Sequence, residues 1–333
     1  MQRFLNDPDD IVDETVRGFV RAHGDLVRTH PENARVVVAR DAPVQGKVGI
    51  VTGGGSGHEP AFIGYAGAGM VDAVAVGELF SSPTAKSFHD AITAADGGAG
   101  VVVLYGNYAG DNMNVKMATK MAAKAGLDVL TVVANDDVSS ASADERDKRR
   151  GVAGEIFMWK IGGAKAAAGA SAEEVRDAAQ GAIDACRSVG VGLTPCTLPA
   201  VGHPNFEIAP GTMEMGIGHH GEPGIAVTEL GRADAVADEM ARIVLDDHDL
   251  PKGTEVAVLV SGLGATPRNE LYVLYDRIAQ AIEARGLTID RAYVGDYFTS
   301  LDMVGATLTV MALDEERKRL LAEPAACPAF GGG

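Results

Sequence analysis

Short runs of Val, Ile, Leu and Ala recur along the chain, and most give way to a glycine-bearing turn and then to a stretch of apolar residues at helical spacing. Such runs read as buried strands and the spaced stretches as amphipathic helices, so the pattern predicts a repeating strand, loop, helix order. The first helix is expected over residues 10–27, where Ile11, Val12, Val16, Phe19, Val20 and Val27 fall mostly at helical spacing and Asp9 and Asp10 are available as caps. Strands are expected at 36–39, 48–51, 71–76, 100–105 and 127–134. Between them, helices are expected over 60–69 behind Pro60, from the Ser-Ser-Pro-Thr stretch at 81–84 to about residue 95, and over 113–125.

Two longer helices are expected over 154–169 and 171–190, after which Pro195, Pro199 and Pro204 interrupt regular structure. That change of character places a domain boundary close to Ser188, dividing the chain into 1–187 and 188–333. The second half opens in a loop-rich segment, GHPNFEIAPGTMEMGIGHHGEPG, and then repeats the rhythm of the first. A helix is expected over 232–246, a strand at 255–260 running into a second glycine loop at 261–267, a helix over 269–284, and strands at 292–295 and 307–312. The tail from 324 to 333 is expected to be poorly ordered. The fold class is therefore α/β, with two α/β domains, the first carrying a largely parallel or mixed sheet flanked by helices. Ligands in such sheets bind beyond the carboxyl ends of the strands, which puts the loops at 52–58 and 106–112 on the binding edge.

The stretch KVGIVTGGGSGHEP at 47–60 is the most informative of these junctions. Gly53, Gly54, Gly55 and Gly57 are expected to form a loop of positive φ whose backbone approaches a ligand, with His58 and Glu59 projecting beyond it. A tight turn with no ligand is the plain alternative. The dinucleotide pattern G-x-G-x-x-G fails, because its last position is His58 counted from Gly53 and Pro60 counted from Gly55. No G-x-x-x-x-G-K-[ST] occurs in the chain, so the loop is expected to cradle a small molecule that is not a nucleotide.

At 333 residues and 34.4 kDa, with 46% hydrophobic residues, the chain is long enough for two separate cores. A net charge of −17 argues against nucleic acid and anionic membrane surfaces as partners. Cys186, Cys196 and Cys327 are odd in number and lack CxxC spacing, which suggests neither a disulfide framework nor zinc and fits a reducing cytoplasm. The acidic N-terminus has no apolar core of a signal peptide, and no apolar run reaches the roughly 18 residues of a membrane span.

Three polar groups at glycine-flanked positions could do chemistry: His58, Asp111 and His220. For the histidines the plain alternative is a satisfied structural residue, and for Asp111 it is a helix N-cap. Glu222 is open between a surface carboxylate and a group that orients a histidine. Metal binding is not suggested, since His219 and His220 are adjacent and no H-E-x-x-H spacing accompanies them.

The segments GGGSGHEPAFIGY, GNYAGDNMN, NDDV followed by RRGVAG, MEMGIGHHGEPGI, SGLGATPRNELY and GDYFTSLDMVGATLT occur in that order over almost the whole chain. Together they resemble the successive motifs of the substrate-binding subunit of dihydroxyacetone kinases. The resemblance implies a homodimer of two-domain subunits in which the histidine of G-x-H-G-E-P-G, here His220 in the second domain, bonds covalently to the ketone carbon as a hemiaminal. An imidazole nitrogen can add to a carbonyl and has nothing to add to on a polyol, so this chemistry selects ketoses over glycerol. The resemblance also implies that Asp111 takes the proton of the hydroxyl being phosphorylated, that His58 hydrogen-bonds the substrate and assists proton transfer, and that Gly55, Ser56 and Gly57 line it.

Two positions depart from the family pattern. Members specific for dihydroxyacetone usually carry a lysine where this chain has Gly106, and commonly an aliphatic residue where it has His219. Both positions are expected near the substrate, and a wider, more polar site would suit a four-carbon ketose such as erythrulose. The family places ATP or ADP with magnesium on a separate helical subunit with clustered aspartates, so the chain itself is expected to hold no cofactor and to act only with that partner. A phosphotransferase-system phosphocarrier is a possible source of phosphate, and a non-catalytic regulatory sugar-binding homologue is the competing class. The failed dinucleotide pattern and the lack of a nucleophile elbow speak against an oxidoreductase or a hydrolase.

Overall fold

In the computed structural model, which describes residues 3–204 and 206–329, the chain divides into two units, each built on a six-stranded sheet. The first unit runs up to Ala134, takes in Glu155–Gly181 and resumes at Arg319. It contains α1 (Ile11–Ala22), β1 (Val27–His30), β2 (Asn33–Ala39), β3 (Gly49–Ser56), β4 (Ala73–Leu79), α2 (Ala85–Ala95), β5 (Val101–Gly106), α3 (Ala109–Lys124), β6 (Val129–Ala134) and α4 (Glu155–Ala167). Helix α5 (Ala172–Asp184) leads into the second unit, which is Asn135–Gly154 with Ala182–Lys318. There the chain forms β7 (Cys186–Gly192), β8 (Thr212–Met215), β9 (Ala226–Glu229), α6 (Ala233–His248), β10 (Glu255–Gly262), α7 (Arg268–Ala284), β11 (Thr288–Gly295) and β12 (Gly305–Ala312). Within α8 (Glu315–Ala322) it passes back to the first unit.

The first sheet has the order β1-β2-β4-β3-β5-β6 and is mixed. Its four strands β4, β3, β5 and β6 are parallel, while β1 and β2 add on antiparallel. Strand β5 shows why it reads as an unbroken apolar run: Val101, Val103 and Tyr105 pack into one core with Phe88 and Ile92 of α2, while Leu104 on the other face meets α4. Helix α4 is buried almost all round, and Gly163 permits this because the Met70 carbonyl lies 2.3 Å from where a Cβ would stand. Thr84 caps α2 by accepting from Ser87 N at 3.1 Å, as the Ser-Ser-Pro-Thr stretch predicts.

The second sheet, β11-β10-β12-β7-β8-β9, is antiparallel at every junction except β10 with β11. The expectation that it repeats the first domain is therefore corrected. β7, β8 and β9 follow one another without crossover helices, and strands joined that way pair antiparallel. Alternation sorts its two faces. Ala306, Leu308 and Val310 of β12 pack under α6 and α7, while Thr307 and Thr309 between them point to a polar face carrying His219 and Ser188.

Several expected elements are corrected. Helix α1 ends at Ala22, where His23 N caps the Phe19 carbonyl and Gly24 follows, so Val27 opens β1. The helix expected over 60–69 is a set of turns with a 3-10 turn at Ile63–Tyr65; Gly69 stands at φ 73° and the Ala326 carbonyl fills the place of a Cβ on Gly67. The end of the helix expected over 171–190 is strand β7, and the loop-rich segment holds the short strands β8 and β9. The glycine loop expected at 261–267 begins as strand, since β10 continues to Gly262. The tail expected to be disordered is docked as far as Ala329: Ala326 N donates to the Ala68 carbonyl and Ala329 N to the Gly64 carbonyl, both at 2.9 Å, and Cys327 is buried. Residues 330–333 of that expectation lie outside the described residues.

A single cut at Ser188 does not separate the two units. Residues 135–154 and 182–187 belong with the second unit, because buried Asp136 binds Val152 N, Gly154 N and Ser188 Oγ and so ties both segments to β7. Pattern along a chain marks where elements change, and such a tie between distant segments leaves no local mark.

Candidate functional site

The glycines of β3 act otherwise than a loop would require. Gly53, Gly54 and Gly55 are strand residues without positive φ, and only Gly57, at φ 95°, needs the left-handed region. Their small size is used for close approach. A Cβ on Gly54 would stand 2.1 Å from the Phe62 ring, one on Gly53 2.7 Å from Phe88, and one on Gly55 2.7 Å from Ser81 N. The ladder between β3 and β5 stops at Val51↔Val103 although the strands run on to Ser56 and Gly106. The sheet thus parts at its carboxyl edge, where parallel α/β sheets hold ligands.

His58 stands just past that edge and is buried, its ring stacked on Phe80 at 4.9 Å and edge-on to Phe62 at 6.3 Å. Phe80 holds φ 55°, a costly backbone for a bulky residue, and its N–H donates to the Ser56 carbonyl at 3.0 Å. Ser56 Oγ is turned inward onto the Gly77 carbonyl, and Gly57 N donates to Glu59 Oε2 at 3.0 Å. Burial pushes the Glu59 carboxyl up.

Asp111 belongs to the same edge, since β3 and β5 are parallel neighbours and α3 follows β5. The plain alternative of an N-cap does not hold: α3 begins at Ala109 with Tyr108 at the cap position, so Asp111 lies inside the first turn, where the helix dipole favours a carboxylate. Ser82 Oγ donates to Asp111 Oδ1 at 2.7 Å, and Asn114 Nδ2 in turn donates to Ser82 Oγ at 3.2 Å. The nearby Tyr105 hydroxyl is pushed up to about 12 by burial, with the Asp111 charge adding to it. Gly106 leaves room for a buried neighbour, as a Cβ there would stand 2.6 Å from Glu155 Oε1.

In the second unit, His220 sits in a turn closed by Gly218 N donating to the Glu222 carbonyl at 3.0 Å and Gly221 N to the Gly218 carbonyl at 3.1 Å. Glu222 Oε1 faces His220 Nδ1 at 2.8 Å, and its Oε2 accepts from His220 N at 3.0 Å. Glu222 therefore orients the histidine. The motif glycines follow from this crowding: a Cβ on Gly218 would stand 2.1 Å from Glu222 Oε2, and Gly221, at φ 83°, is covered by the Phe206 ring.

Behind Glu222 stands Arg150. Its guanidinium binds buried Asp137 Oδ2 at 2.8 Å, donates to the Gly216 carbonyl at 3.2 Å, and lies 3.9 Å from Glu222 Oε2. Burial alone would raise the Glu222 carboxyl, but the His220 hydrogen bond and charge, with Arg150, outweigh it and hold the group at about 2. In the neutral ring, a carboxylate beside Nδ1 favours the tautomer with the proton on that nitrogen and the lone pair on Nε2. His219 points elsewhere: it is buried against Phe298 at 4.6 Å with Nε2 on Thr307 Oγ1 at 3.1 Å, and burial, then the His220 charge, pull it down to about 3.

Of the predicted residues, Gly55, Ser56, Gly57, His58, Gly106 and Asp111 gather at one sheet edge of the first unit, and His219 and His220 belong to the second. Arg150 and Asp137 went unread as site residues, although the NDDV and RRGVAG segments that hold them were visible. Their role depends on contact with a turn more than sixty residues further along. Among the described residues, no group of three or more His, Cys, Asp or Glu is placed to hold a metal ion, and no helix is long and apolar enough to cross a membrane.

Residues 17–329 match the Dak1 domain family model. The chain is 41% identical to the dihydroxyacetone-binding subunit DhaK of the PTS-dependent dihydroxyacetone kinase 1 of Listeria innocua, over 95% of this chain and 96% of that one. It is also 41% identical to the L-erythrulose 1-kinase of Mycolicibacterium smegmatis, covering 100% of this chain and 58% of that protein. Among solved structures, the dihydroxyacetone kinase of C. freundii in complex with AMP-PNP and Mg2+ superposes with a TM-score of 0.90 at 30% identity, over 99% of this chain and 60% of that chain. With its mixed α/β sheets and a match over nearly its full length, the chain belongs to the Dak1 domain family.

Proposed function

We propose that the chain is the substrate-binding subunit of a ketose kinase, holding dihydroxyacetone or a related short ketose covalently through His220 while a separate subunit supplies the phosphoryl group. The observation that carries this reading is the 2.8 Å contact between His220 Nδ1 and Glu222 Oε1. It supports Nε2 of the neutral ring as the nucleophilic nitrogen. As the Nε2 lone pair adds to the ketone carbon, the carbonyl π pair passes to oxygen, which takes up a proton to complete the hemiaminal. The ring gains positive charge in that step, and ionised Glu222 stabilises it across Nδ1–H.

In this reading Asp111, oriented by Ser82, accepts the proton of the hydroxyl that attacks phosphorus, and His58 hydrogen-bonds the substrate. Gly55, Ser56 and Gly57 offer backbone to it. The nucleotide and its magnesium belong to the partner subunit, which is charged by ATP or by a phosphotransferase-system phosphocarrier. The similarity to a PTS-dependent enzyme supports the second source, and the nucleotide complex of the C. freundii kinase supports the first. A homodimer working in the cytoplasm completes the reading.

A four-carbon substrate is the second reading, favoured by the similarity to an L-erythrulose kinase; Gly106 adds nothing to it, because Glu155 fills the space beside that glycine. The test is carbon-13 NMR of C2-labelled dihydroxyacetone and erythrulose bound to the isolated chain. A bound carbon of tetrahedral character in the wild type, lost in His220→Asn, is expected. Tight binding with the ketone signal intact overturns the covalent role. The ketose that binds more tightly identifies the substrate.

A further inference from the structure

Helix α3 carries apolar residues on two opposite sides. Val115, Ala118 and Ala122 are buried inward, as a helix covering a sheet requires. On the outer side Met113, Met117 and Met121 recur every four residues and are 60%, 51% and 38% exposed. Lys116, Lys120 and Lys124 interleave with them and are exposed too. From Asn112 to Leu127 the chain has no carboxylate, although acidic residues number 46 against 29 basic ones overall. A solvated helix face in so acidic a chain would ordinarily pair its lysines with carboxylates one turn away, and α3 itself has none beyond Asp111. Three exposed methionines on one side form the kind of adaptable apolar surface that proteins use for binding.

We propose that this outer face of α3 docks an acidic surface of the nucleotide-holding partner subunit, the methionines meeting an apolar ridge and the lysines its carboxylates. The inference rests on the kinase reading above and deepens it. Charge argues against a second copy of this chain as the occupant, because an isologous contact would set Lys116, Lys120 and Lys124 against the same three lysines. Position argues for the phosphate-bearing subunit. Met113 lies two residues beyond Asp111, about 3 Å further along the helix axis. A partner seated on the stripe thus begins at the turn that holds the proposed base, where the phosphoryl donor must arrive.

The experiment titrates the nucleotide-holding subunit that supports ketose turnover by the wild-type chain against two double variants, Lys116→Glu with Lys120→Glu and Met117→Ala with Met121→Ala. Ketose affinity of each isolated variant is measured alongside and should match the wild type, which also verifies folding. The wild type is expected to be weakened by salt, and the charge variant to need at least about tenfold more partner for half-maximal turnover and to lose that weakening. The methionine variant is expected to dissociate faster while keeping that salt dependence. Half-saturation at the wild-type partner concentration in both variants overturns the docking face, as does a change in the sedimentation of the chain alone on charge reversal, which would assign the face to a second copy. A wild-type chain that binds ketose yet turns over with no nucleotide-holding subunit overturns the kinase reading itself.

Discussion

Replacing Glu222 by Gln changes almost nothing in volume and removes the charge that His220 leans on. In the wild type the carboxylate receives His220 Nδ1 at 2.8 Å and the His220 backbone N–H at 3.0 Å, with Arg150 at 3.9 Å behind it. A hydrogen bond to an ionised group contributes roughly 1.5–3 kcal/mol and a neutral one roughly 0.5–1.5, so the substitution costs about 1–1.5 kcal/mol of orienting energy. That is about tenfold in ketose affinity. A second effect adds to it, because an amide turning its NH2 toward Nδ1 favours the tautomer with the proton on Nε2, where no lone pair remains to attack. Since Glu222 is held at about 2, its contribution is complete above the ordinary carboxylate range and is lost only as pH falls toward that value. Calorimetry near neutral pH therefore compares a full charge with none. Nitrogen-15 spectra of the His220 ring read the tautomer directly, and a Glu222→Gln chain with wild-type ketose affinity and an unchanged tautomer would refute the reasoning.

Arg150→Met leaves Asp137, which is 2% exposed, without its cation, and stranding one member of a buried ion pair costs roughly 3–5 kcal/mol. A melting temperature lowered by less than about 5 °C would show that the pair is not needed for the fold, at the usual scale of about 2–4 °C per kcal/mol. Asp111→Asn should bind ketose nearly normally while phosphorylation in the presence of the partner falls by roughly 10² to 10⁴, and an active variant returns the residue to a helix-terminal role. His219 is neutral when folded and protonates in the unfolded chain below its ordinary range, so stability should fall as pH drops from about 6.5 toward about 3. His219→Gln should reduce that slope by up to about 1.4 kcal/mol per pH unit in urea titrations, and an unaltered slope would mean that the buried ring charges in the native state.

How far the sequence alone reached depends on how local the cause was. The positions of strands β2 to β6 of the first unit, the Thr84 cap of α2 and the helices α6 and α7 were legible because periodicity and capping act over a few residues. The candidate residues His58, Asp111 and His220 were legible because they stand in dense, ordered motifs, and the match of residues 17–329 to the Dak1 domain bears out the family those motifs suggested. Three glycines of β3 were misread, since small residues in a row look alike whether they bend the backbone or admit a neighbour, and only the Phe62, Phe88 and Ser81 atoms placed against them decide between the two. The antiparallel second sheet, the docked tail at Ala326 and Ala329 and the division of the chain among its units depend on pairings between distant segments, which leave no period to read. The same holds for the link from Asp137 through Arg150 to Glu222. A carboxylate becomes the group that orients His220 only when burial and a guanidinium from a remote segment hold it ionised, and folding alone brings those together.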